Sequence, residues 1–363
     1  MLYRMTFLTV APLLMAGLMT GFMTGLMPGL SAGELTAGEL TLKQTDTGYE
    51  VWIGDQLFAG YITGFGGAPI VHPIVGPTGK HMTRDFPMIR GYEGARTGHP
   101  HQRSLWFTHG AVNGLDFWQA AGAAVNDIRY TRGRIIHRRF VKAESDGTTA
   151  VIVTENDWVD ANNPDQVLCR DIRTLRFSVA EDRRILDFDI TITTDQEQVV
   201  LGDTREGSFG LHVPEQMVVR FGQGGQNFDH GGRFVNAEGL VGELTAEGRL
   251  NEQAWGKRSA WVTYYGEIDG DKLGITILNH PSSFRFPTYW HVRGYGLFAA
   301  NPFGIHEFES GSQGGDRTVP QGAGDHTLLR GESLTLRYRV LFHKGDSVEA
   351  KIADAFKEYA EMP

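Results

Sequence analysis

Between Arg184 and Thr193 the chain reads Arg-Ile-Leu-Asp-Phe-Asp-Ile-Thr-Ile-Thr, and this strict alternation constrains the fold more than any other feature. Side chains on an extended chain point to opposite faces in turn. Leu186, Phe188, Ile190 and Ile192 therefore share one face and Asp187, Asp189 and Thr191 the other, the pattern of a half-buried antiparallel strand. Leu334, Leu336, Tyr338, Val340 and Phe342 repeat it. Shorter alternating or apolar runs predict strands at 49–53, 57–62, 150–154, 174–178, 198–201, 217–221, 260–265 and 274–278. Gly-Gly pairs at 66–67, 224–225 and 231–232 mark loops. Neither a strand-helix-strand rhythm nor a repeat appears. The expectation is a mostly β fold, a large antiparallel β-sandwich forming a single domain over residues 42–363.

The period changes only at the end. Val348, Ile352, Ala355, Phe356 and Tyr359 fall on one helical face, and Asp346 with Glu349 suits a capping box, so a short C-terminal helix is expected over 347–360.

Residues 5–30 carry no charge, follow Arg4 and lead to Ser31-Ala32-Gly33. Residues 1–33 are read as a secretory signal peptide, with a retained anchor as the alternative, so the location expected is periplasmic or secreted. No membrane span is expected after cleavage. The doubled Ala-Gly-Glu-Leu-Thr at 32–41 makes residues 34–41 a low-complexity spacer. A formal net charge of -9 argues against nucleic acid as a partner. Cys169 is the single cysteine, so no internal disulfide forms, and it is read as a buried thiol.

Histidine placement is the main functional lead. His99-Pro-His101-Gln-Arg103 puts two imidazoles and a guanidinium at one parity, and His109 follows. Imidazoles move protons near neutral pH, and arginine holds an anion or a developing oxyanion. His101 and His109 are the expected proton-transfer pair; His99 and Arg103 are expected to bind substrate. Trp106, Phe107, Phe117 and Trp118 offer rings for a sugar face or for the core, with Trp118 taken as a binding residue. Gly202-Asp203-Thr-Arg-Glu206-Gly supplies two carboxylates, with His212 beyond; Glu206 is expected to be catalytic, Asp203 and His212 to bind substrate. Lys257, His280, His291, Arg293 and Asn301 lie in four further polar stretches. Of these, His280 and His291 are assigned catalysis and the others binding. His306 with Glu307 is a less specific addition. Arg129, Arg132, Arg134, Arg138 and Arg139 read as a solvated strand face. His-x-His is compatible with a divalent metal; no cofactor is predicted. The chain lacks dinucleotide, Walker and Gly-x-Ser-x-Gly patterns.

The co-ordered motifs His99–Trp118, Gly202–Gly207, Asn236–Gly239, Trp255–Arg258, His280-Pro281, Trp290–Arg293 and Gly296–Gly304 resemble a bacterial "PmoA family" of unassigned function, over about Leu42 to Lys344. The chain departs from that family's His-His-Arg at Gln102. The resemblance implies a galactose mutarotase-like supersandwich in the company of secreted polysaccharide-degrading proteins. The reading is an exported carbohydrate-active enzyme, a lyase, epimerase or hydrolase using His and carboxylate acid-base chemistry on a sugar or uronate. The alternatives are a non-catalytic carbohydrate-binding β-sandwich and, from the family label, a metal-dependent oxygenase.

Overall fold

The alternating stretch at 184–193 forms the strand Arg183–Thr193, and its apolar face is buried: Leu186, Phe188, Ile190 and Ile192 are all shielded from solvent. It pairs antiparallel with Ser333–Lys344 in the register that sets Ile192 against Leu334, Ile190 against Leu336, Phe188 against Tyr338 and Leu186 against Val340. Both predicted inward rows thus lie side by side, which is how alternation on neighbouring strands becomes a continuous apolar surface. These observations come from a computed structural model that describes residues 38–89, 97–119, 132–180, 182–223 and 226–363. The chain divides into a unit of residues 1–36 and a unit of residues 37–363. The expected signal peptide lies outside the described residues.

Two large antiparallel sheets dominate. One has ten strands, in spatial order Leu250–Glu252, Val241–Leu244, Arg233–Asn236, Trp261–Ile268, Asp271–Asn279, Ser333–Lys344, Arg183–Thr193, Asn163–Ala180, Thr149–Asp160 and Gly133–Ser145. The other has eight, in the order Leu40–Thr45, Gly48–Ile53, Gln56–Phe65, Ala68–Ile74, Leu105–His109, Gly207–His212, Leu297–Asn301 and Tyr289–Val292. They face each other across one apolar core, with Phe58 edge-on to Phe177 at 5.4 Å and Phe209 stacked on Tyr338 at 4.6 Å. This is the large antiparallel β-sandwich that the alternation predicts.

Several boundaries differ from the sequence reading. Leu40 and Thr41, expected in the spacer, are strand residues, because Leu40 pairs with Ile53 and is buried in the core. Met217, expected in a strand, closes a short 3-10 turn, Glu215–Met217, and the next strand is Arg220–Gln223. The C-terminal helix α2 spans Ile352–Ala360. Asp346 and Glu349 do form the reciprocal capping pair, with Glu349 Oε2 accepting the Asp346 N–H at 2.8 Å and Asp346 Oδ1 accepting the Glu349 N–H at 3.1 Å. They cap a turn ahead of the helix, which leaves Val348 exposed rather than on the packed face. α2 covers Leu278 and Leu341 on the outer face of the ten-stranded sheet. A shorter helix, α1, spans Ile305–Gly311. Among the described residues no helix is long and apolar enough to cross a membrane.

The core also holds charge, and its charge is saturated. Asp171 accepts hydrogen bonds from Asn156 Nδ2 at 2.6 Å, Trp158 Nε1 at 2.7 Å and Arg173 at 2.9 and 3.0 Å. Arg173 also donates to the Phe107 carbonyl of the facing sheet at 3.3 Å. Arg184 bridges the sheets similarly, donating to the Leu57 and Val75 carbonyls at 2.8 and 2.9 Å and to Gln56 Oε1 at 3.1 Å. Removing one member of a buried pair strands the other without solvent or partner. Asp171→Ala is therefore expected to destabilise the fold by about 3–5 kcal/mol, read from denaturant unfolding; a loss below about 1 kcal/mol would mean that the network is dispensable.

Candidate functional site

The eight-stranded sheet has a second buried face. On its outer side Trp106 packs against Trp118 at 5.1 Å, with Ile70, Leu297 and Ala299 around them. Gly210 makes this possible: a Cβ there would lie 2.6 Å from the Trp106 ring, so only glycine lets the indole cross the strand. The residues that carry chemistry gather above this apolar floor.

His99–Arg103 is not an extended strand. The Gln102 N–H donates to the His99 carbonyl at 3.0 Å, closing a turn, and His99 and Ser104 hold φ of 53° and 54°. Left-handed backbone at two non-glycine positions persists only where the surroundings enforce it. They do here: Ser104 Oγ donates to the Val71 carbonyl at 2.6 Å and pairs with Thr83 Oγ1 at 2.7 Å, and Arg84 donates to the Gly98 carbonyl at 2.9 Å. The turn, rather than strand parity, brings the imidazoles together. The rings of His99 and His101 meet edge to face at 5.6 Å, and His99 stacks on Tyr295 at 5.1 Å. The Tyr295 ring stands 6.3 Å from His212 and its hydroxyl accepts from Gln102 Nε2 at 3.4 Å. Gly296, at φ 110°, allows that approach, since a Cβ would sit 2.6 Å from His212.

Around Tyr295 the charged groups converge. Its hydroxyl pKa is raised, first by burial and then by the carboxylates of Glu206 and Glu252, with the Gln102 hydrogen bond and Arg293 opposing. Glu206 is pushed up, chiefly by burial, with Asp116 and Glu307 adding and Arg205 opposing. His291 donates from Nδ1 to the Arg205 carbonyl at 2.9 Å, so Nε2 carries the free lone pair. Burial, with Arg293 and Arg205 adding, holds His291 at about 3. The Arg293 guanidinium lies over Trp255 at 5.6 Å and pairs with Glu252 at 3.1 Å. His101 is likewise held at about 3 by burial, then by His99, Arg103 and Arg84. Its ring makes no hydrogen bond among the described residues.

His99, His101, Arg103, Glu206, His212, His291 and Arg293 thus lie around one patch, with His212 buried beneath Tyr295 and tied by Nδ1 to the Val213 carbonyl at 2.9 Å. Other expected site residues do not join them. His109 shares the inward parity of Phe107, and its ring is fixed between the Gly202 carbonyl at 2.8 Å and Ser208 Oγ at 3.1 Å, so the expected pairing with His101 is not assembled. His280 lies beside α2, 4.9 Å from Tyr359, and donates to the Met362 carbonyl at 3.1 Å. Asp203 accepts the His306 and Gly324 N–H groups and ties α1 to the loop before 325. Asn301 bridges Thr204 and Phe303, and Lys257 donates to Gln313 and Ser312. All five are anchored by backbone partners. Trp118 is fully buried and floors the patch rather than facing it; Phe107 and Phe117 belong to the inter-sheet core. Arg138 and Arg139 pair with Asp157 and Glu155 on a strand face, while Arg129 lies outside the described residues. Cys169 is buried with its thiol pushed up by burial. Trp255 and Tyr295 lie in motifs legible in the sequence but carry no role in its reading, and Arg84 is not part of that reading. The Gly294-Tyr-Gly296 turn is the one local signal for Tyr295; Arg84 has none, because its role comes from packing beside residues distant in the chain.

Among the described residues no three His, Cys, Asp or Glu side chains gather at metal-ligand spacing. Two guanidinia beside His99 and His101 make that pair repel a cation. A cavity of about 770 Å³ lies elsewhere, along Gly64–Ala68, Arg132–His137 and Asn162, and shares no residue with the patch. Volume is a weaker mark of a site than buried polar groups without partners, and the patch has these.

A family model described as a family of unknown function (DUF6807) matches residues 49–357. The chain belongs to that family. Every residue of the patch falls inside the match, which does not show the "PmoA family" label. No curated protein matches the chain. Solved structures similar to it include a galactose mutarotase-like protein from Clostridium acetobutylicum, 8% identical, covering 84% of this chain and 99% of that one at a TM-score of 0.37. A galactose mutarotase related enzyme from Lactobacillus acidophilus is 9% identical, covering 84% and 97% at 0.35. The GH36 alpha-galactosidase AgaB from Geobacillus stearothermophilus is 11% identical at 0.35, and the match covers 85% of this chain but only 39% of that one. With scores this low, the assignment of the sandwich rests on this chain's own strand order.

His109 and His343 are held at about 4 and His291 at about 3, each mainly by burial, against an ordinary value of 6.5. A depressed folded value means that below 6.5 the unfolded chain takes protons the folded chain refuses. Their stabilisation is whole above pH 6.5 and is lost as pH falls toward 4, at up to ~1.4 kcal/mol per histidine per pH unit. Denaturant unfolding at pH 7, 5.5 and 4.5 should show stability falling in that order; a flat profile would contradict the burial of these rings.

Proposed function

We propose that the chain is an exported enzyme that carries out acid-base chemistry on a carbohydrate at the outer face of the eight-stranded sheet. The observation that carries this reading is His101. Its ring is held in a strained turn, made neutral by burial and neighbouring cations, and has no hydrogen-bond partner of its own among the described residues. A structural histidine in this chain looks different: His109, His280 and His343 each spend a ring nitrogen on a backbone carbonyl and the other on a hydroxyl.

The roles follow from protonation state. His101 is a neutral proton acceptor. Glu206, with a raised pKa and one oxygen near Arg205, is assigned the partner proton, and His291, whose Nδ1 is spent on the Arg205 carbonyl, offers Nε2 as a second neutral acceptor. Among the described residues Gln102 Oε1 lacks a donor and the Arg103 terminal nitrogens lack acceptors, so a ligand that both donates and accepts hydrogen bonds, as a polyhydroxylated sugar does, completes them. Tyr295 and Trp255 border the same patch with aromatic surface.

His101→Ala is expected to lower turnover about 10²- to 10⁴-fold while sparing ligand binding, with Glu206→Gln falling similarly. Proton NMR in D2O over a panel of sugars and uronates reads both exchange of ring or anomeric protons and bond cleavage. Silence across the panel, with ligand binding retained, would make the chain a binding module instead.

A further inference from the structure

We propose that the ligand of this site carries a carboxylate that pairs with Arg103, and next to it a hydroxyl that donates to Gln102, so that the substrate is a hydroxy acid of the uronate kind. This rests on the reading of the same patch given above and narrows its substrate class.

Arg103 is wholly buried, yet its guanidinium is nearly unspent. Among the described residues its one hydrogen bond is Nε to the His101 carbonyl at 3.4 Å, and neither terminal nitrogen has a partner. Two buried arginines between the sheets set the standard. Arg173 is saturated by Asp171 and the Phe107 carbonyl, and Arg184 by two carbonyls and Gln56. A bare buried guanidinium is costly, and no carboxylate pairs with Arg103 among the described residues. Burial alone accounts for the lowering of its pKa to about 9. A fork of two open donors fits the two oxygens of a carboxylate. Charge favours the same choice. Arg103 itself carries one positive charge with no acid against it among the described residues, and one carboxylate balances it.

Gln102 supplies the second half. Its Nε2 is used on Tyr295, and its buried Oε1 has no donor among the described residues. That oxygen asks for an O–H close to the anion. The two requirements together, an anionic acceptor pair and a neighbouring hydroxyl donor, describe a sugar acid and not a neutral hexose or a simple carboxylate. A bound carboxylate would also offset the Arg103 charge beside His101, making that ring a better base only when ligand is present.

Calorimetric titration of the full chain with galacturonate and glucuronate, against galactose and glucose, tests this without any variant. At least one uronate should bind about 10- to 100-fold more tightly than its hexose, and Arg103→Gln should bring uronate down to the hexose level. Arg103→Met, which removes the bare charge, should melt no lower than the wild type. Equal binding of uronate and hexose, binding of neither, uronate binding untouched in Arg103→Gln, or a lower melt for Arg103→Met would each overturn the proposal. The two readings fail separately. Uronate binding through Arg103 without proton exchange sinks the acid-base chemistry and keeps the carboxylate anchor. Exchange on a neutral sugar alone does the reverse.

Discussion

The eight-stranded sheet is buried on both faces, and the rest of the molecule follows from that. Its inner face meets the ten-stranded sheet through Phe58, Phe107 and Phe209, which closes the sandwich. Among the described residues its outer face meets no second sheet; Trp106, Trp118, Leu297 and Ala299 form a separate apolar cluster with Met88 and Tyr295 packed against it from loops. Loops bring backbone and polar side chains with them, so the outer face becomes the place where buried polar groups collect. The ten-stranded sheet covers part of its outer face with α2, an amphipathic helix that lays Ile352, Ala355 and Tyr359 on Leu278 and Leu341.

This division explains which buried charges are spent and which are not. Inside the sandwich, Asp171, Arg173 and Arg184 are matched donor for acceptor, and they brace one sheet against the other. On the outer face Arg103 and Gln102 have buried donors and an acceptor without partners among the described residues, held by a turn with two left-handed residues. Unspent polar groups and strain in one place oppose stability, and proteins keep such a combination where a ligand completes it.

Sequence reading located this patch better than it assigned its members. The His99–Arg103 segment was visible as a dense polar group, yet the reason offered, shared parity on an extended strand, was not the reason found. A turn closed by Gln102 and His99 does the gathering. His109 has the same composition in its surroundings and is a structural ring, because alternation from Trp106 turns it inward. His280 sits in an equally polar motif but lies beside α2, beneath a helix that the local motif does not reveal. Arg84 and Tyr295, which complete the patch, come from stretches far apart along the chain.

Alternation is a local property, so the inward rows of Arg183–Thr193 and Ser333–Lys344, and with them the sandwich class, could be read without coordinates. So could the capping pair at Asp346 and Glu349, whose geometry spans only four residues. Which histidine is bare and which is tied down is a different kind of fact. It depends on whether a carbonyl from another strand, such as that of Gly202 or Arg205, reaches the ring, and on whether an acid reaches each buried arginine. Only the packing of distant segments decides those contacts, because residue type states what a side chain can bond and not what is left for it to bond to.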